Sequence, residues 1–170
     1  MHNSELNEIV REAIKLEING RLFFLKAEEL TQNDLGKKMF KKLIKDEINH
    51  LDDFQKIFSS IISEKEWEKI VKQEQESESS VIEELTSRLD KASRASEIEA
   101  IKIGMELEKK AIVFFEKLEN KVDDIEIKKV VNIICNEERL HYDLLQAQYD
   151  SVTNSGFWLD VAEFRMDAKF

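Results

Sequence analysis

The chain is predicted to be all-α, a four-helix bundle with a long crossover between its second and third bundle helices, and three observations lead there. Proline is absent and glycine occurs only four times in 170 residues, while Glu, Lys, Leu and Ile dominate, a composition that favours long helices over a turn-rich β fold. Four long stretches carry apolar residues at helical spacing. Between the second and third of them lies a charged run of about 30 residues that, if largely helical, would span about 45 Å and so traverse a bundle rather than turn a corner. At this length one compact domain over residues 1–170 can bury its core without disulfides.

The first helix is predicted from Ser4, its N-cap, to about Thr31, through Leu6, Ile9, Val10, Ala13, Ile14, Leu16, Leu22 and Phe23. Asn33-Asp34-Leu35-Gly36 reads as a turn, with Asp34 capping a second helix through Met39, Phe40, Leu43, Leu51 and Phe54 that ends near Ile62. Residues 63–93 form the connection, with helical pieces around Trp67 and Ile70 and around Ile82, Leu85 and Leu89. Ser96 followed by Glu99 fits a capping box for the third helix, which runs through Ile101, Met105, Ile112 and Phe115 to about Asn120. Asp123 or Asp124 caps the fourth, which passes through Ile127, Val131, Ile134 and Leu144 to about Val152. The remainder, GFWLDVAEFRMDAKF, is an aromatic tail or short packing helix. Its Trp158 and Phe164, read as exposed, point to self-association without specifying its form, and a homodimer is the expected state.

The net charge of −10 provides no basic field for nucleic acid or for anionic lipid, so neither is expected as a partner. No apolar run approaches the roughly 20 residues of a membrane span, and the polar start MHNSELNE has no signal-peptide core, which places the protein in the cytoplasm. Cys135 is the sole cysteine, so the chain contains neither a disulfide nor a CxxC pair able to hold zinc or a rubredoxin-type iron.

The most informative feature is an internal repeat at an offset of 91 residues, which needs no gap. It lays Glu17 on Glu108, Glu47 on Glu138 and His50 on His141, so that LEINGRLFF meets LEKKAIVFF and EINH meets ERLH. Two of the chain's three histidines thus sit three residues after a glutamate at equivalent places. Residues i and i+3 share a helical face, so each Glu-x-x-His unit can grip a metal from one side. Heights agree as well. Glu17 lies about 16 residues before the turn at Asn33-Asp34 and the midpoint of Glu47 and His50 about 15 after it, both roughly 23 Å from the turn. Glu108 and the Glu138–His141 pair are level in the same way about Asp123-Asp124. Two hairpins of this kind, joined by a crossover, close one central site with ferritin-like connectivity.

Four ionised glutamates in a core repel one another and demand compensating charge, which two divalent metals supply. Oxygen and imidazole donors suit iron, with manganese possible, and the lack of thiolates argues against structural zinc or an iron–sulfur centre. With these residues in place, the chain resembles the rubrerythrin and ferritin-like di-iron carboxylate family over roughly residues 4 to 165. The resemblance implies that Glu47 and Glu138 bridge two Fe ions, that Glu17 and Glu108 are terminal carboxylates, and that His50 and His141 each complete one metal's shell. It further implies a redox protein that reduces hydrogen peroxide or oxygen, with iron binding or ferroxidase-type storage as the alternative. Two departures stand out. Rubrerythrins carry another carboxylate three residues after the third-helix ligand, where this chain has Ala111, and they commonly append a rubredoxin domain, so an external electron-donor protein is implied here.

Around the six ligands, Phe23, Phe24, Phe114 and Phe115 are expected in the core, and Cys135 as a small buried hydrophobe. Gly20 and Ala111, matched in the repeat, suit helix packing and leave room for a small pocket. Asp46 and Glu137, matched just before the two clamps, are expected to face solvent, with support of the metal ligands as the alternative.

Overall fold

A computed structural model describes residues 3–59, 62–76, 80–89 and 93–161 of the chain. Among these residues the backbone forms six helices and no strand: α1 (Asn3–Leu30), α2 (Asp34–Phe58), α3 (Glu64–Glu76), α4 (Ser80–Ser87), α5 (Arg94–Lys121) and α6 (Ile125–Ser155). The four long helices are the predicted ones, and α3 and α4 are the helical pieces of the connection.

Their ends differ in detail. Asn33, not Asp34, caps α2, its side chain accepting from the N–H groups of Leu35 and Gly36. Helix α2 stops at Phe58, short of Ile62. Ser93, not Ser96, caps α5: Ser93 has extended backbone and accepts from the Ser96 N–H, leaving Ser96 buried in the first turn. The Arg94 guanidinium donates to the Val152 carbonyl at 2.9 Å and ties this helix start to the end of α6. Asp124 caps α6, which runs past Val152 to Ser155, where Gly156 at φ 80 takes the left-handed conformation that closes the helix. Ser4 falls inside α1, and its side chain, like Phe164, lies outside the described residues.

α1 pairs with α2 and α5 with α6, and the two hairpins meet through α1 against α5 and α2 against α6. Both cross-hairpin contacts run antiparallel. Glu97, near the start of α5, accepts from the Gln32 N–H just past the end of α1, while Gly104 and Phe24 meet further along. His50 meets Glu137, and Asp46 meets His141. Helices α2 and α5 therefore run parallel, which requires the connection to carry the chain back along the bundle. Helices α3 and α4 do so packed on α1. Trp67 and Ile70 of α3 join a core cluster with Phe54, Phe58 and Phe115 at one end, and Ile82 and Leu85 of α4 join another with Phe24, Phe40 and Ile101 at the other. Between these apolar ends lies a buried polar layer.

Trp158 corrects an expectation, since it is buried rather than available for self-association. Gly156 turns the chain back, both ends of the Gln148 amide bond the Leu159 backbone, and the indole packs on Phe40 over Gly36. A Cβ on Gly36 would stand 2.7 Å from Thr31 Cγ2 and 2.9 Å from the Trp158 ring, so a side chain there would exclude the tail. Phe23, Phe24 and Phe115 are fully buried, whereas Phe114 is half-buried at the edge of its cluster. No described helix is long and apolar enough to cross a membrane.

Candidate metal centre

The buried polar layer consists chiefly of the six residues matched by the repeat. Glu17 comes from α1, Glu47 and His50 from α2, Glu108 from α5, and Glu138 and His141 from α6, and none is more than 3 % exposed. They converge because the heights calculated from the turns are level and because i, i+3 spacing sets each glutamate and its histidine on one face. Glu17, Glu47, His50 and Glu138 each place a ligand atom within 4.8 Å of the others, and so do Glu47, Glu108, Glu138 and His141. The two groups share Glu47 and Glu138.

Both histidines turn Nδ1 inward. His50 Nδ1 is 3.1 Å from Glu17 Oε2 and 2.8 Å from Glu138 Oε1, though aligned for hydrogen bonding only with Glu17. His141 Nδ1 lies 3.6 Å from Glu108 Oε1 and 3.5 Å from Glu138 Oε2, with no hydrogen bond to either. The rings stack with centroids 5.8 Å apart.

Outward, His50 Nε2 bonds Glu137 Oε2 at 2.8 Å and His141 Nε2 bonds Asp46 Oδ2 at 3.1 Å. Solvent exposure, the favoured expectation for both carboxylates, holds in part, since Glu137 is 50 % and Asp46 22 % exposed, while their bonds to the histidines match the alternative of ligand support. What sequence reading missed is the crossing. Each carboxylate precedes the glutamate of one clamp and reaches the histidine of the other, which helix rotation arranges across α2 and α6. Their match at the 91-residue offset was the available signal. A carboxylate on Nε2 holds the imidazole with its Nδ1 lone pair facing the cluster, the arrangement that suits a metal ligand.

The electrostatics express crowded carboxylates. Burial, reinforced by Glu17 and Glu138, pushes the Glu47 carboxyl well above its usual range, and burial with the neighbouring Glu138 does the same to Glu108. Burial acts on Glu138 too, but Glu108, His141 and His50 outweigh it and hold this carboxyl well below its usual value. Burial opposes charge on both imidazoles, yet Glu17, Glu137 and Glu138 raise His50 well above its ordinary pKa, and Asp46 and Glu138 raise His141. Despite this network Glu17 Oε1, Glu108 Oε1, both oxygens of Glu138 and His141 Nδ1 have no hydrogen-bond partner while fully buried. Such a set is costly unless a cation completes it. Carboxyl oxygens and inward-facing imidazole Nδ1 atoms, several of them without a partner, fit two divalent ions that would displace protons from the set.

The side opposite the histidines is open. A cavity of about 160 Å³ between α1 and α5 is lined by Glu17, Glu47, Glu108 and Glu138, with Gly20 and Ala111 among its walls. A Cβ on Gly20 would lie 3.3 Å from the Glu47 carboxylate, so glycine lets α1 approach that group closely. Leu16, Phe24 and Leu107 provide apolar wall. Cys135, fully buried as expected, sits apart with its thiol pushed up by burial.

Comparison with known proteins agrees with this geometry. A protein-family model described as Rubrerythrin matches residues 8–149, well over half of the chain and all six converging residues. Searches of curated proteins and of solved structures found no match.

Proposed function

The chain belongs to the rubrerythrin family, and from that premise we propose that it is a di-iron carboxylate redox protein that reduces hydrogen peroxide or oxygen with electrons from a separate donor protein. The observation that carries this reading is the pair of overlapping donor groups, which share two carboxylates and border one small cavity. Two redox-active ions, when bound, supply two electrons and stabilise developing charge. Iron is the ion we assign, and manganese fits the same oxygen and imidazole donors.

The chain's own residues have separable tasks in this reading. Glu47 and Glu138 serve both positions, Glu17 and Glu108 close their far sides, and His50 and His141 each complete one. Asp46 and Glu137 keep the imidazoles oriented. Gly20 and Ala111 leave the α1–α5 face free for a molecule the size of peroxide, and the walls of Leu16, Phe24 and Leu107 limit bulk water. The one cysteine provides no thiolate pair for an internal relay, so the reading takes electrons from outside. It also takes the protein to be a single domain, homodimeric and cytoplasmic, and, at a net charge of −10, without nucleic-acid or membrane partners.

Anaerobic loading with Fe(II), followed by metal analysis and spectra before and after peroxide, tests the proposal. Two irons per chain, oxidised with one peroxide consumed for each pair and faster than free Fe(II), is the expected result. Oxidation no faster than that of free Fe(II) would refute the catalytic reading. Uptake far beyond two irons per chain would replace it with storage.

A further inference from the structure

The two halves of the centre match in residue type but not in how their donors are held. Each side has a buried terminal carboxylate oxygen without a hydrogen-bond partner, Glu17 Oε1 and Glu108 Oε1, and the difference lies at the histidines: on the Glu108 side His141 Nδ1 has no partner either. On the Glu17 side, His50 Nδ1 is already engaged with Glu17 Oε2 at 3.1 Å, so one of that side's own contacts must break before a metal can enter. The outer supports differ in the same sense. Asp46, behind His141, is mostly buried and pinned by Lys42 Nζ at 2.6 Å. Glu137, behind His50, is half-exposed and forms no ion pair with a lysine or arginine among the described residues.

Resting on the two-metal reading above, we propose that the two positions are unequal. The first divalent ion enters the group of Glu47, Glu108, Glu138 and His141, and the second enters the group of Glu17, Glu47, His50 and Glu138 more weakly. A pre-aimed ligand set loses less freedom on binding, whereas breaking a charge-assisted hydrogen bond costs roughly ten- to a hundredfold in affinity. The shared carboxylates widen the gap. Once Glu47 and Glu138 face one cation, they attract the next less.

Anaerobic titration of the full chain with Mn(II), following free Mn(II) by electron paramagnetic resonance, reads the two affinities without any turnover. The expected isotherm has two steps of one ion each, the first at least about tenfold tighter. Glu17→Gln should keep the tight step and lose the weak one, and Glu108→Gln should do the reverse. Asp46→Asn should weaken the tight step by roughly ten- to a hundredfold, while Glu137→Gln weakens only the other. A wild-type isotherm with both ions entering at equal affinity would overturn the proposal even if every variant failed to fold, and so would loss of the tight step in Glu17→Gln. Binding of no Mn(II) by the wild type is a different result, which would remove the two-metal reading and this inference with it.

Discussion

Replacing Glu47 by glutamine changes one charge and almost no volume, and the structure makes its two consequences opposite in sign. Without metal, Glu47 is fully buried beside Glu17 and Glu138, and its carboxyl is pushed well above the ordinary value of 4.5. A carboxyl whose folded pKa is raised destabilises the fold as pH climbs above its unfolded value, by at most about 1.4 kcal/mol per pH unit, an upper bound of roughly 3.5 kcal/mol at pH 7. Glutamine avoids that cost, so metal-free Glu47→Gln should be more stable by about 1–3 kcal/mol, or roughly 3–10 °C in Tm for a chain of this length. With metal the sign reverses. An ion held at a hundred times its Kd stabilises the wild type by about 2.7 kcal/mol. Glu47 belongs to both donor groups, so the variant should forfeit most of this for both ions. Calorimetry with and without Mn(II), paired with metal analysis, would read both effects. A metal-free variant less stable than wild type, with its metal-induced shift intact, would refute the reasoning and make Glu47 a structural carboxylate.

The stability of the metal-free protein should peak on the acid side of neutrality. His50 and His141 are raised from 6.5, so their stabilisation is complete below that pH and is lost as pH rises through the folded values. Raised Glu47 and Glu108 add to the loss above 4.5, whereas lowered Glu138 and Asp46 stabilise at higher pH and lose that contribution as pH falls through their depressed values. Thermal melts from pH 4 to 9 would show it, and the metal-induced shift should grow with pH, because metals compete with protons for these ligands. Gly20→Ala should leave two metals bound but slow oxidation by peroxide severalfold in stopped-flow measurements, since its Cβ would press on the Glu47 carboxylate from 3.3 Å and narrow the cavity wall. Phe54→Ala empties a fully buried site against Phe58 and Phe115 and should cost about 3–5 kcal/mol in denaturant unfolding.

Much of this protein was legible without coordinates, because the relevant physics is local to a helix. Apolar periodicity marks α1, α2, α5 and α6, the turn residues set their ends to within a few positions, and a rise of about 1.5 Å per residue places four glutamates and two histidines at one level. The 91-residue repeat then singles those six out from a chain rich in surface glutamate. The sequence pointed to Ser96 as the cap of α5 and the cap is Ser93, because both are serines within a turn of the helix start and the choice follows from the chain entering it in extended form, with Arg94 anchored to Val152. Trp158 was misjudged because its burial depends on a glycine more than a hundred residues away.

Tertiary structure alone decided how the site is held. The bonds from Glu137 to His50 and from Asp46 to His141 join residues 87 and 95 positions apart, and they depend on the rotation of α2 against α6, which no period along the chain encodes. The same rotation, applied to side chains that are not identical in the two halves, leaves His141 Nδ1 free and His50 Nδ1 engaged. Sequence therefore determined which atoms can meet, since helical spacing is a property of the backbone. Packing determined which of them remain unpaired, since that depends on how four helices settle against one another.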